Sequence, residues 1–152
     1  MFLRLVIFLL INFAALGLGG LFTSGGVGSE WYAALDKAPW TPPGWVFGAA
    51  WTSVMICFSF YMAHLWPTAA NKKLLLGLFI LQWILNVGWN PVFFHFHNVG
   101  FGLAVISALT LLVGFFLVFY FPPLKLKSLL LLPYFIWVLI ATSLNAYVLI
   151  QN

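Results

Sequence analysis

Apolar residues run almost unbroken through five stretches of this chain, approximately residues 2–22, 45–66, 74–94, 99–121 and 128–150. Each stretch reaches the ~20 residues an α-helix needs to cross the hydrocarbon of a bilayer. Strict apolar–polar alternation is missing, and a small odd number of strands does not close a barrel, so helices are the predicted element. Prolines mark the breaks. Pro42-Pro43-Gly44 precedes the second run, Pro67 follows it, Pro91 lies near the end of the third, and Pro122-Pro123 stops the fourth. A fixed φ and a missing N–H make proline a terminator or first-turn residue in each place. Pro133 is the exception: it falls within the last run, where it predicts a kink or loosened first turns. The pattern therefore predicts an all-α integral membrane protein, a single membrane domain over residues 1–152 built as a five-helix bundle.

Composition supports the same fold. Of 152 residues, 64% are hydrophobic and 5% charged, against the about 25% charged of soluble domains. The net charge of +4 forms no basic cluster, so nucleic acid is not an expected partner; the lipid bilayer is. Cys57 is the only cysteine, which excludes an intrachain disulfide and reads as a small hydrophobe. Arg4 followed by apolar residues to Ala14-Ala15 and Gly17 has the shape of a signal peptide. The run continues to Phe22, however, and that length favours a first membrane span. With five crossings, Arg4, Lys72, Lys73, Lys125 and Lys127 share one side and Lys37 alone lies on the other. The positive-inside rule then puts the N-terminus in the cytoplasm.

Candidate chemistry lies within the spans and in the first loop. Four of the eight tryptophans fall between Trp31 and Trp51, interleaved with Pro39, Pro42 and Pro43. Between two membrane-length runs, this segment is expected to be a lid over whatever the helices enclose. Gln82, Asn86, Trp89 and Phe93 share one face of the third helix. Phe47, Trp51 and Met55 form a stripe on the second, and Tyr134, Trp137, Ala141, Leu144 and Asn145 a face of the fifth. At ~1.5 Å per residue, Asn86, Trp51 and Ala141 reach roughly one depth beneath the lid. Intramembrane amides turn inward, either to glue helices together or to hold a ligand; both readings stand for Gln82 and Asn86, and glue is expected of Asn12. An interfacial aromatic belt accounts for Trp31, Trp45 and Trp66. Trp51 and Trp137 lie too deep for it. His95 and His97 form an H-x-H pair without a third ligand, so no metal site is expected. Glu30 and Asp36 are the only carboxylates. No nucleophile triad, phosphate loop or redox-cofactor motif is present.

The residues Glu30-Trp31-Tyr32, Leu35, Lys37, Trp40, Pro42-Pro43, Trp45 and Trp51 resemble the W-Y-x-x-L-x-K-P-x-W-x-P-P segment of the TspO/MBR translocator protein family, the peripheral-type benzodiazepine receptors. Gln82, Asn86, Trp89 and Pro91-Val92-Phe93-Phe94 resemble its Q-x-x-x-N-x-x-W-x-P-x-F-F segment. Pro133-Tyr134, Trp137, Ala141-Thr142 and Leu144-Asn145 resemble its P-Y-x-x-W-x-x-x-A-T-x-L-N helix.

The resemblance implies a usually dimeric five-helix bundle whose pocket, capped by loop one, binds protoporphyrin IX or a related tetrapyrrole. No obligatory cofactor is implied. Carried across, the ligand-binding set is Trp31, Tyr32, Trp40, Phe47, Trp51, Gln82, Asn86, Phe93, Trp137, Ala141 and Leu144. Trp89, on the stripe of the third helix, and Lys37, placed to meet a propionate at the mouth, complete it. The implied role is sensor, carrier or scavenger of porphyrin. An alternative is light-dependent porphyrin breakdown, with Trp51 and Trp137 as the photo-oxidation candidates and no assured catalytic residue. Another is a regulatory membrane scaffold with an incidental cavity. Two departures stand out. Lys37-Ala38-Pro39 replaces the family's Lys-Pro, and no basic residue follows Tyr147 to complete the weak cholesterol pattern. The second departure points away from a sterol role, and the short chain fits the family's bacterial members, so the resemblance implies a bacterial cell membrane as the location.

Overall fold

A computed structural model describes all residues 1–152. Its regular structure is all helix, with no strand, and five helical spans have the length and apolarity to cross a membrane. In chain order the elements are α1 (Phe2–Val27), α2 (Glu30–Ala34), α3 (Gly44–Thr68), α4 (Lys72–Asn90), a π-helical turn (Pro91–His95), α5 (Val99–Phe119), α6 (Phe121–Leu124), a 3₁₀ stretch (Lys125–Leu131) and α7 (Leu132–Gln151).

Short polar side chains open three of these helices. The Ser29 hydroxyl accepts from the Tyr32 N–H at 3.1 Å, the Asn71 amide oxygen from Leu74 at 2.9 Å and the Asn98 amide oxygen from Phe101 at 3.0 Å. Each satisfies an amide that the first helical turn leaves without a partner.

Two prolines shape the spans from inside. Pro91 has no N–H to return to the preceding turn, and its ring crowds that turn's carbonyl. The helix widens there, and Phe96 donates to the Pro91 carbonyl at 2.9 Å. Pro133 sits in the first turn of α7 behind the 3₁₀ stretch, so the last span begins as a tighter, different helix. The loosened start expected from Pro133 takes this form.

α1 runs to Val27, five residues beyond the apolar run that ends at Phe22. Tertiary contacts carry it through Thr23-Ser24-Gly25-Gly26. The Thr23 hydroxyl donates to the Asn90 amide oxygen at 2.6 Å, and Gly26 lies directly against the Phe94 ring. Side-chain packing thus outweighs the poor helix propensity of glycine.

The core occupies the half of the bundle away from the lid. Phe58, Tyr61, Phe79, Phe116 and Tyr134 pack there edge-to-face or offset, with ring centroids 5.3–6.4 Å apart. Inside it, the Asn12 amide donates to the Ser59 hydroxyl at 2.9 Å and joins α1 to α3. This is the glue expected of Asn12.

Candidate functional site

At the lid end the helices enclose a cavity of about 580 Å³, within the ~300–1,000 Å³ usual for small-molecule sites. Aromatic side chains from four elements wall it. α3 contributes Phe47 and Trp51, α4 Trp89, the π-turn Phe94, and α7 Trp137 with Ala141. Tyr32 and Lys37 close it from the lid, beside Thr41 and Pro42.

The wall is ordered by ring-to-ring contacts. Trp137 meets Phe47 edge-on at 5.4 Å and Trp51 at 6.3 Å, with interplanar angles of 81° and 83°. Trp51 also meets Tyr134 at 6.1 Å. Opposite them, Trp89 stacks on Phe93 at 5.4 Å and donates its indole N–H to the Asn145 amide oxygen at 3.1 Å. Asn145 in turn donates to the Val99 carbonyl at 3.0 Å, which ties the wall to α5. A wall pinned this way presents flat apolar faces without paying to order them on binding.

The Trp137 indole N–H and the Gln82 amide oxygen are buried without a hydrogen-bond partner. Gln82 spends its other amide atom on the Tyr134 hydroxyl at 2.6 Å. It lies below the cavity, in the core. Asn86 is buried as well, but it borders a second void of about 130 Å³ that continues the cavity inward between α1, α3 and α4. Phe93 and Leu144 line a third, small space behind Trp89.

The lid is α2 and the segment that follows it. Trp31 stacks on His97 with centroids 4.0 Å apart and planes 13° apart, and meets Phe93 edge-on at 5.6 Å. His97 holds a positive φ of 52° in the turn that leads to α5. Trp40 is 54% exposed and donates its indole N–H to the Ser143 hydroxyl at 3.1 Å. The Asp36 N–H donates to the Asn152 amide oxygen at 3.0 Å, and the Asn152 amide returns a bond to the Asp36 carbonyl at 3.3 Å. Lys37 lies over the Tyr32 ring with Nζ 4.9 Å from the centroid, and donates to the Ala33 and Leu35 carbonyls. Burial pushes the Tyr32 hydroxyl above its ordinary value, so it remains a neutral donor at the cavity rim.

Of the residues expected at the site, Tyr32, Lys37, Phe47, Trp51, Trp89, Trp137 and Ala141 come together around the main cavity. Trp31 and Trp40 hold the lid from its outer side, while Gln82, Asn86, Phe93 and Leu144 lie outside the main cavity lining. The sequence reading passed over the α1 wall, formed by Gly20, Thr23, Ser24 and Val27. The one signal for it in the sequence is the cluster Gly17, Gly19 and Gly20, small residues that suit close helix packing first and room for a flat ligand second.

The amino-acid sequence matches known proteins over most of its length. The profile of the TspO/MBR family matches residues 6–151. "Tryptophan-rich protein TspO" of Archaeoglobus fulgidus is 35% identical over 91% of this chain and 90% of its own length. "Protein CrtK" of Rhodobacter capsulatus is 35% identical over 84% of this chain and 79% of its own. The human "Translocator protein" is 31% identical over 79% and 73%. The agreement spans the lid, the cavity walls and all five membrane-length helices: the chain belongs to the TspO/MBR family.

Proposed function

We propose that this protein binds a flat, amphiphilic tetrapyrrole of the protoporphyrin IX type and serves as its sensor, carrier or scavenger. The observation that carries the proposal is the cavity of about 580 Å³ walled by Phe47, Trp51, Trp89, Phe94 and Trp137. Rigid aromatic faces suit a conjugated macrocycle, and each well-placed aromatic pair adds about 0.5–1.5 kcal/mol beyond area burial. Lys37, on the rim, is the cation available to a propionate. The names "Tryptophan-rich sensory protein" and "Translocator protein" among its relatives accord with sensing or carrying. No imidazole lines the cavity: His95 and His97 belong to the lid end outside it, and His64 bonds its own helix at the Phe60 carbonyl. The favoured ligand is therefore the metal-free macrocycle rather than axially ligated haem.

Absorption spectra of the purified protein titrated in parallel with protoporphyrin IX, haem and cholesterol test this reading. The expected result is a saturable shift of the Soret band with protoporphyrin at the lowest concentration. Saturation by cholesterol alone would overturn it.

The contact between Trp51 and Trp137 favours a second reading, in which the bound pigment is destroyed under light with dioxygen as the oxidant and an indole as the first electron donor. Illumination with and without air decides it: pigment loss equal to that of free porphyrin in detergent rules it out.

The proposed orientation has the N-terminus in the cytoplasm, with Arg4, Lys72, Lys73, Lys125 and Lys127 at one end of the bundle and Lys37 at the other. A homodimer in the cell membrane is proposed on the strength of the family resemblance.

A further inference from the structure

α1 lies close to α3 over one half of the bundle and leaves it over the other. Near the middle the two are joined by the Asn12–Ser59 bond at 2.9 Å. Toward the lid α1 leans instead on α4 and the π-turn. A Cβ built on Gly19 would meet the Asn90 amide at 2.7 Å, and one on Gly26 would overlap the Phe94 ring. Thr23, on the same stripe, donates to Asn90 at 2.6 Å. Gly19, Thr23 and Gly26 thus allow α1 to settle against α4 and the π-turn.

Where the helices separate, small residues border the gap. Gly20 on α1 and Gly44 and Gly48 on α3 all line the cavity, and a Cβ at any of them would meet nothing within 4 Å. Ser24, Gly44 and Gly48 are exposed although they line the cavity, while Phe47 and Trp51 stand half-buried behind them. The cavity is therefore open along its side, between two membrane-length spans. Above, the lid is fastened to the rest of the bundle by Trp31 on His97, Trp40 on Ser143 and the paired bonds between Asp36 and Asn152.

We propose that the seam between α1 and α3, bordered by Gly20, Gly44 and Gly48, is a lateral portal through which an amphiphile dissolved in the bilayer reaches the cavity while the lid stays shut. The ligand class rests on the tetrapyrrole reading above; the opening itself does not. A flat apolar molecule partitions into the hydrocarbon first, so a side opening meets it where its concentration is highest. The lid then needs only to cover the aqueous side of the cavity and hold Lys37 over it.

Two measurements on the full chain in lipid nanodiscs separate the opening from the ligand. The first needs no ligand. In a Cys57→Ala background, a nitroxide attached to Gly48→Cys is expected to collide more often with lipid-soluble oxygen than with a water-soluble nickel chelate. The reverse order would overturn the portal.

The second follows protoporphyrin IX transfer from vesicles by Soret shift. A plug at the portal obstructs passage both ways, so Gly48→Leu is expected to slow binding and release alike, by about tenfold or more. The fold tolerates that change, because leucine is the better helix former and the site has open space. A weaker Kd through faster release alone would mark Gly48 as a cavity wall and not a gate. Stapling the lid with a short bis-maleimide across Asp36→Cys and Asn152→Cys, again without Cys57, is expected to leave both rates unchanged. Loss of exchange on stapling, with wild-type rates in Gly48→Leu, would overturn the proposal. Absence of saturable protoporphyrin binding in the unaltered protein would sink the tetrapyrrole reading alone, and the nitroxide result would still decide the portal.

Discussion

Two amides on one stripe of α4 have different surroundings. Gln82 is 1% exposed and bonded to the Tyr134 hydroxyl. Asn86 is 5% exposed and borders the inner void; its side chain makes no hydrogen bond, while its backbone carbonyl accepts from the Asn90 amide at 3.0 Å. Removing a buried partner leaves the other polar group stranded at a cost of about 1–3 kcal/mol. Gln82→Leu should therefore lower the detergent-unfolding midpoint, since it strands the Tyr134 hydroxyl. Asn86→Leu breaks no side-chain bond, and its expected effect is unchanged or raised stability with altered ligand selectivity. Equal destabilisation by both would show that Asn86 is structural glue. Tyr32 makes a further prediction. Its hydroxyl titrates above the ordinary 10.0 in the folded protein. Between the two values the unfolded chain loses a proton that the folded chain keeps, so stability falls as pH rises through that interval. Thermal melts at successive alkaline pH values should show this fall, and Tyr32→Phe should reduce it.

Among the elements, α1 shows best what a sequence pattern does and does not reveal. Its apolar run marks a membrane span, but nothing local says that the helix continues through Ser24-Gly25-Gly26. The cause is non-local: Asn90 and Phe94, on another span, receive it. The glycines also look alike in sequence and are not alike in space. Gly26→Ala forces a methyl into the Phe94 ring, an overpacking that costs about 1–3 kcal/mol. Gly25→Ala meets only open space and gains up to about 1 kcal/mol of helix propensity. Melting curves of the two variants should move in opposite directions. The third span repeats the lesson. Trp89 and Phe93, four residues apart, stack as helical spacing predicts. Phe94 reaches the main cavity only because Pro91 widens the next turn, a local register change that periodicity does not encode.

At the scale of the whole molecule, the five spans, their order and the lid were readable from run length, prolines and the spacing of Trp31 to Trp51. The aromatic cavity wall was readable in part, because Trp51 and Trp137 lie deeper than an interfacial belt allows and helical spacing puts Phe47 on the stripe of Trp51 and Trp89 on that of Asn86. The side opening was not, since it depends on how one helix tilts between two neighbours. The central claim is that these deep aromatics hold a tetrapyrrole in the cavity beneath the lid. The most direct test is a protoporphyrin IX titration of wild type and the Trp51→Phe, Trp137→Phe double variant in nanodiscs, followed by the Soret band. Two altered aromatic contacts should weaken binding by about tenfold, with saturation retained in the wild type. Identical curves for the two proteins, or a shift that never saturates in either, would contradict it.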